Sequence, residues 1–124
     1  VAERADFLLA RSLDGLTGTF DILVSNPPYI ATAEIAELDD EVRNFDPVAA
    51  LDGGTDGLAV YREVARRAAA VVPEGLICLE VGATQAEAVL SLLRTVNPAA
   101  ADDRFAAFKD LAGHTRCVTQ TTRR

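Results

Sequence analysis

The apolar run Phe20-Asp21-Ile22-Leu23-Val24-Ser25 stops at Asn26-Pro27-Pro28-Tyr29, and this abrupt stop constrains the fold more than any other feature of the chain. A short, nearly continuous apolar run suits a strand buried on both faces. A prolyl pair cannot continue a ladder, so the strand must end there and a loop begin. A second run of the same kind, Leu76-Ile77-Cys78-Leu79-Glu80-Val81, ends at Gly82. Between the two, Asp56-Gly57 starts a helix whose apolar residues Leu58, Tyr61, Val64, Ala65, Ala68, Val71 and Val72 recur mostly at spacings of three and four. Pro73-Glu74-Gly75 stops it.

Beyond Gly82, Thr84 and Glu87 have the spacing of a capping box. The helix they open carries Ala86, Val89, Leu90, Leu93 and Val96 on one side and ends at Asn97-Pro98, because the residue before proline avoids the helical region. Residues 104–109 and 115–121 are strand candidates separated by Asp110-Leu111-Ala112-Gly113-His114, the arrangement of an antiparallel hairpin, with a frayed tail after Thr121. Residues 30–55 hold no period, and acids gather at Glu34, Glu37, Asp39, Asp40 and Glu41. This is a long loop with room for one helical turn, and loops of that length are usually functional or disordered. Alternating strands and helices predict an α/β layered fold: a mostly parallel sheet covered on both faces, closed by a final antiparallel hairpin.

Size and composition narrow the function. The chain has 124 residues, 49% of them hydrophobic, which fits one domain with one core. It begins at Val1 and has no methionine, so it reads as a piece of something longer. No apolar run reaches the roughly 18 residues that span a bilayer, and the N-terminus lacks a signal-peptide pattern, so the expected compartment is the cytoplasm. The net charge of −7, with Lys109 as the one lysine, opposes strong direct binding to nucleic acid. Arg62, Arg66 and Arg67 stand at helical spacing and read as a solvated face. Cys78 and Cys117 lie far apart in the sequence without C-x-x-C spacing, and they read as two ordinary buried thiols, with no metal site expected.

The residues suited to chemistry sit where the first strand ends. Ligands in open α/β sheets bind beyond the carboxyl ends of the strands, and Asn26-Pro27-Pro28-Tyr29 occupies that place. An amide or exocyclic amino nitrogen is a poor nucleophile because its lone pair is delocalised, so a site must orient it in a dry pocket. The side-chain oxygen of Asn26 can accept one hydrogen of such a nitrogen and the carbonyl of Pro27 the other. Pro27 and Pro28 stiffen the loop, and Tyr29 supplies a flat face for a planar group. Taken alone, the tetrapeptide also fits a plain turn at a strand end. Glu80, at the end of the second strand, fits contact with a ligand as well as it fits capping of the next helix or pairing with an arginine. Asp52-Gly53-Gly54 and Asp56-Gly57 are explained by turn chemistry and an N-cap, and His114 reads as a hairpin residue.

Around the tetrapeptide, Glu41-Val42-Arg43, Phe45-Asp46-Pro47, Ala50-Leu51-Asp52-Gly53-Gly54, Asp56-Gly57-Leu58, Leu79-Glu80-Val81-Gly82 and Lys109-Asp110-Leu111-Ala112-Gly113 continue a recognisable pattern. From about Ala5 to Val118 the chain resembles the HemK-type release-factor glutamine methyltransferases. The resemblance implies the C-terminal part of a Rossmann-like class I methyltransferase domain. It implies S-adenosylmethionine as methyl donor, and as acceptor the side-chain amide of the glutamine in a release factor's Gly-Gly-Gln loop. It gives Asn26 and Pro27 the catalytic, amide-holding role, with Pro28 and Tyr29 completing the substrate loop, and it sets Asn26 beside the donor's methyl. Asp6-Phe7 resembles the family's acid-then-apolar pair whose second residue packs near the donor's adenine, though Phe7 equally suits a core position. Asp46 stands where the family more often has glutamate, and no role is assigned to it.

The glycine-rich turn that approaches the donor, the acidic ribose contact and the family's N-terminal helical domain have no counterpart in the sequence. Residues 1–124 therefore read as the acceptor half of a catalytic domain, expected to be inactive by itself. If residues 1–5 are the tail of the third strand, the strand that should pair with them is missing, and the Phe20 strand presents an edge open to self-association. Two other functions suit the same residues. One is an adenine N6 amino-methyltransferase acting on DNA or RNA, which needs the same two acceptors. The other is a non-catalytic interaction module.

Overall fold

The computed structural model describes residues 18–38 and 51–123. The expectations for residues 1–5, Asp6, Phe7, Glu41-Val42-Arg43, Phe45, Asp46, Pro47 and Ala50 fall outside the described residues.

Strand β1 (Ile22–Ser25) leads through the proline loop and a 3-10 segment (Thr32–Glu37) toward helix α1 (Ala59–Val71). Strand β2 (Gly75–Glu80), helix α2 (Ala86–Val96) and the hairpin β3 (Phe105–Lys109) and β4 (Thr115–Thr122) come next. The four strands form one sheet in the order β1-β2-β4-β3. β1 and β2 are parallel, with Ile22 opposite Leu76 and Ser25 opposite Leu79. β4 runs antiparallel to both β2 and β3, so three strands share one direction and the last is the reversed one. This is the expected α/β arrangement with its final antiparallel hairpin.

Pleating sends alternate side chains to opposite faces. Ile77, Leu79, Val118 and Phe105 point to the face that α1 and α2 cover, where they join Tyr61, Val64, Ala68, Val89 and Leu93 in one buried cluster. Each such side chain contributes roughly 1.5–3 kcal/mol by leaving water. The helical periodicity read from the sequence is borne out in α1, whose buried residues are Tyr61, Val64, Ala65, Ala68 and Val71.

Several expectations need correction. β1 is not buried on both faces: Ile22 is 59% and Val24 70% exposed, and among the described residues its one neighbour is β2. The face that carries Ile22, Val24 and Phe108 has no helix over it among the described residues, because both described helices pack on the other side. Thr84 and Glu87 form no capping box; the residue that precedes α2 is Gln85, and no side chain caps the helix. The side-chain oxygen of Gln85 is engaged instead by the N–H of Gly82, at 3.0 Å. Val96 lies 43% exposed, off the buried stripe. Helix α1 starts at Ala59 rather than at Asp56, whose carboxylate accepts the Leu58 N–H at 3.0 Å.

The chain is not frayed immediately after Thr121. Thr122 is buried, its hydroxyl donates to Val72 O at 2.7 Å, and it accepts the Gly75 N–H at 2.9 Å. Cys78 and Cys117, distant in sequence, meet with 3.2 Å between their sulfurs as diagonal neighbours on β2 and β4. Both are free thiols, half-buried rather than buried. Burial and the adjoining Cys78 push the Cys117 thiol up to about 11. Among the described residues no helix is long and apolar enough to cross a membrane, and no group of His, Cys, Asp and Glu could hold a metal ion.

Candidate functional site

β1 and β2 run side by side, so their carboxyl ends deliver Asn26 and Glu80 to the same rim of the sheet. Asn26 is exposed and Pro27 is buried. The Asn26 side chain makes no hydrogen bond to another described residue, and neither does the carbonyl of Pro27. Among the described residues neither acceptor is engaged, the one on a side chain and the other on a stiff backbone. Pro28 and Tyr29 are half-buried.

A cavity of about 270 Å³ opens at this corner, lined by Asn26, Pro27, Tyr29, Ile30, Leu51 and Glu80. Its lining is mixed, with Asn26 and Glu80 beside the apolar Pro27, Ile30 and Leu51 and the aromatic Tyr29. A larger groove of about 620 Å³ lies elsewhere, lined in part by Pro73, Val96, Asn97 and Thr121. The candidate site is the smaller cavity, because there the ends of β1 and β2 and the proline loop converge.

The segment after the proline loop locks that loop in place. Ile30 and Asp52 form an isolated parallel bridge, in which Ile30 N–H donates to Leu51 O at 3.1 Å and Gly53 N–H to Ile30 O at 2.7 Å. Thr32 N–H extends the pairing to Gly54 O at 2.9 Å. The Asp52 carboxylate accepts the Thr32 hydroxyl at 2.7 Å and the Gly54 N–H at 2.9 Å. These bonds, the Thr32 hydroxyl first, hold the Asp52 carboxyl below its ordinary value.

Turn chemistry alone does not account for the glycines here. A Cβ on Gly53 would stand 2.9 Å from Pro28 O, and one on Gly57, where φ is +77°, would stand 2.5 Å from Tyr29 O. Both glycines are places where a second segment presses on the loop backbone. Gly82 repeats the pattern against the Tyr29 ring, since a Cβ there would lie 3.0 Å from its Cδ2.

Tyr29 is thus wedged between two glycine turns, those of Gly57 and Gly82, and its carbonyl receives the side-chain amide of Gln85 at 2.8 Å. Sequence reasoning missed Gln85 because it took Thr84 as the capping residue. The run Gly-x-x-Gln, in which a side chain folds back on its own turn, was the available signal. Behind this corner the hydroxyl of buried Tyr61 donates to Glu80 O at 2.6 Å. Arg62 pairs with Asp56 and Arg66 with Glu63 on an exposed helix face as expected, but Arg67, expected on the same solvated face, is half-buried. His114 is exposed in the hairpin, its N–H bonded to Asp110 Oδ1 at 3.0 Å.

No protein-family model matches the chain. It is 42% identical over 116 residues to the release factor glutamine methyltransferase of Rhodospirillum rubrum, covering 93% of this chain and 34% of that protein. It is 48% identical over 101 residues to the protein of the same name from Caulobacter vibrioides, covering 81% and 34%. The Bradyrhizobium diazoefficiens protein, again of that name, is 43% identical over 120 residues, covering 96% and 39%. The chain thus spans a little over a third of the length of these curated relatives.

Proposed function

Over the stretch it spans, this chain belongs with the C-terminal part of the release factor glutamine methyltransferases, and from that premise we propose that it forms the acceptor half of an S-adenosylmethionine-dependent methyltransferase site. The substrate is the side-chain amide of the glutamine in a release factor's Gly-Gly-Gln loop, and the product is the N5-methylated amide. The observation that carries this reading is the exposed Asn26 followed by buried Pro27, set at the carboxyl end of β1 beside a cavity.

In this reading Asn26 Oδ1 and Pro27 O each accept one hydrogen of the substrate NH₂. Two acceptors fix the direction of the nitrogen lone pair, and orientation of this kind lowers the barrier by turning an encounter into a positioned contact. The half-buried Tyr29 ring and the walls at Ile30 and Leu51 keep water from the nitrogen. When bound, the donor supplies an electrophilic methyl group. Asn26 and Phe7 are the residues of this chain assigned to the donor. The Glu80 carboxylate, on the same cavity, suits its positive charge.

The test is methylation of a Gly-Gly-Gln-containing release-factor peptide by the full-length protein that carries this chain, read by mass spectrometry, with DNA and RNA as competing acceptors. Transfer to the glutamine amide alone is the expected result, in keeping with the net charge of −7 carried by these 124 residues. Transfer to adenine with none to the peptide overturns the assignment. Calorimetry on residues 1–124 should show no tight binding of S-adenosylmethionine, and tight binding would overturn the half-site reading.

A further inference from the structure

Three loops at the candidate site converge on one side chain. The Nε2 group of Gln85 donates to Tyr29 O at 2.8 Å and to Gly57 O at 3.3 Å, while Oε1 accepts the Gly82 N–H at 3.0 Å. Tyr29 is 56 residues away in sequence and Gly57 is 28. A primary amide carries two donors and an acceptor in one plane, and no other uncharged side chain of this length does. Two carbonyls and one N–H admit a single orientation of that amide, which fixes its oxygen toward Gly82.

The surroundings are cut to fit. A Cβ on Gly57 would sit 2.9 Å from Gln85 Nε2, and one on Gly82 would sit 2.8 Å from Gln85 Oε1. At its Asn26 end the proline loop is fixed by the β1 and β2 pairing, which runs to Ser25 and Leu79. Pro27 and Pro28 limit the φ angles between. At the far end, the Tyr29 carbonyl is set by Gln85.

We propose that Gln85 is a positioning residue for methyl transfer, fixing the Tyr29 end of the acceptor loop so that Asn26 and Pro27 hold the target nitrogen at the correct angle. The inference rests on the assignment of that loop to the acceptor amide. Gln85 touches neither substrate nor donor in this role. It acts through the loop, and a displacement of the order of 1 Å costs about a hundredfold in rate.

The test uses the full-length protein with Gln85→Glu and Gln85→Met, assayed where both remain fully folded. Gln85→Glu keeps the acceptor for Gly82 but sets a carboxylate against two carbonyls. The expected result is a fall in kcat of tenfold or more, with the dissociation constant for S-adenosylmethionine within threefold of the parent. The introduced carboxyl recovers an O–H donor when protonated, so the deficit of Gln85→Glu should shrink as pH falls, whereas that of Gln85→Met should not. A purely structural residue would give no such divergence in pH profile. Parent-like kcat in both variants, beside an inactive Asn26→Ala, overturns the positioning role and leaves the acceptor-loop reading standing. Parent-like kcat in Asn26→Ala overturns both.

Discussion

The hydroxyl of Tyr61 donates to the backbone carbonyl of Glu80 at 2.6 Å, tying the first turn of α1 to the last residue of β2. Tyr61 is 1% exposed, and burial pushes its hydroxyl well above the ordinary tyrosine range, with Tyr29 and Glu80 adding to the effect. The group therefore remains a neutral donor across the working pH range. Tyr61→Phe keeps the ring and removes the bond, and the expected cost is about 1–2 kcal/mol. The measurement is a denaturant titration, in which the midpoint should fall while the slope stays unchanged. An unshifted midpoint would mean that the bond adds nothing to folding.

The Asp52 carboxylate closes the segment after the proline loop by accepting from Thr32 and Gly54. Its pKa lies below the usual 3.8, so folding favours the ionised form. The stabilisation is complete above the unfolded value and is lost as pH falls through the lower folded value. The pairing of residues 30–32 with 51–54 should thus persist at pH 5 and loosen only below about pH 4. Thr32→Val removes the larger cause and should return the Asp52 carboxyl toward 3.8 in an NMR titration. An unmoved titration would show that the hydroxyl bond does not form in solution.

Gly57 and Gly113 both adopt positive φ, at +77° and +88°, but only Gly57 has backbone in the way of a Cβ. Gly113→Ala should cost about 1–2 kcal/mol, the left-handed penalty alone. Gly57→Ala adds a clash 2.5 Å from Tyr29 O, so it should cost at least ~1 kcal/mol more and should displace the Tyr29 end of the loop. Comparing the two thermal midpoints isolates the close approach. Equal losses would show that the loop yields without strain.

The elements of this fold were legible in the sequence where one local signal decided them. α1 has a regular apolar stripe, β2 an apolar run, and the β3 to β4 turn a glycine at positive φ. The corner at Asn26 was also readable, because proline forces a strand to end. The pairing partners were not. Buried Gln120 and Thr122 put polar residues of β4 on the helix-covered face, so alternation could not orient that strand, and the meeting of Cys78 with Cys117 depends on its register. Gln85 was hidden for a related reason. Its role lies in carbonyls 28 and 56 residues away, and only the folded arrangement of three turns brings them within reach.

Asn26→Ala tests the chemistry most directly. Asn26 is exposed and makes no side-chain hydrogen bond to another described residue, so truncating it opens no buried cavity and leaves no described polar group without a partner. Stability should change by less than about 0.5 kcal/mol, as for surface positions in general. On the proposed reading the lost acceptor would act on the nucleophile, so in the full-length protein methyl transfer should fall by at least a hundredfold while S-adenosylmethionine affinity stays within a few fold. Removal of a single preorganised polar group at a reacting centre is worth about 10²–10³ in rate. Asn26→Asp is the sharper variant: it keeps an acceptor oxygen but adds a negative charge, so it should retain more activity than alanine if acceptance alone matters. Kinetics on both variants at one pH, with calorimetry for the donor, separates orientation of the nitrogen from binding of the donor. Near-normal turnover of Asn26→Ala would remove the asparagine from the mechanism.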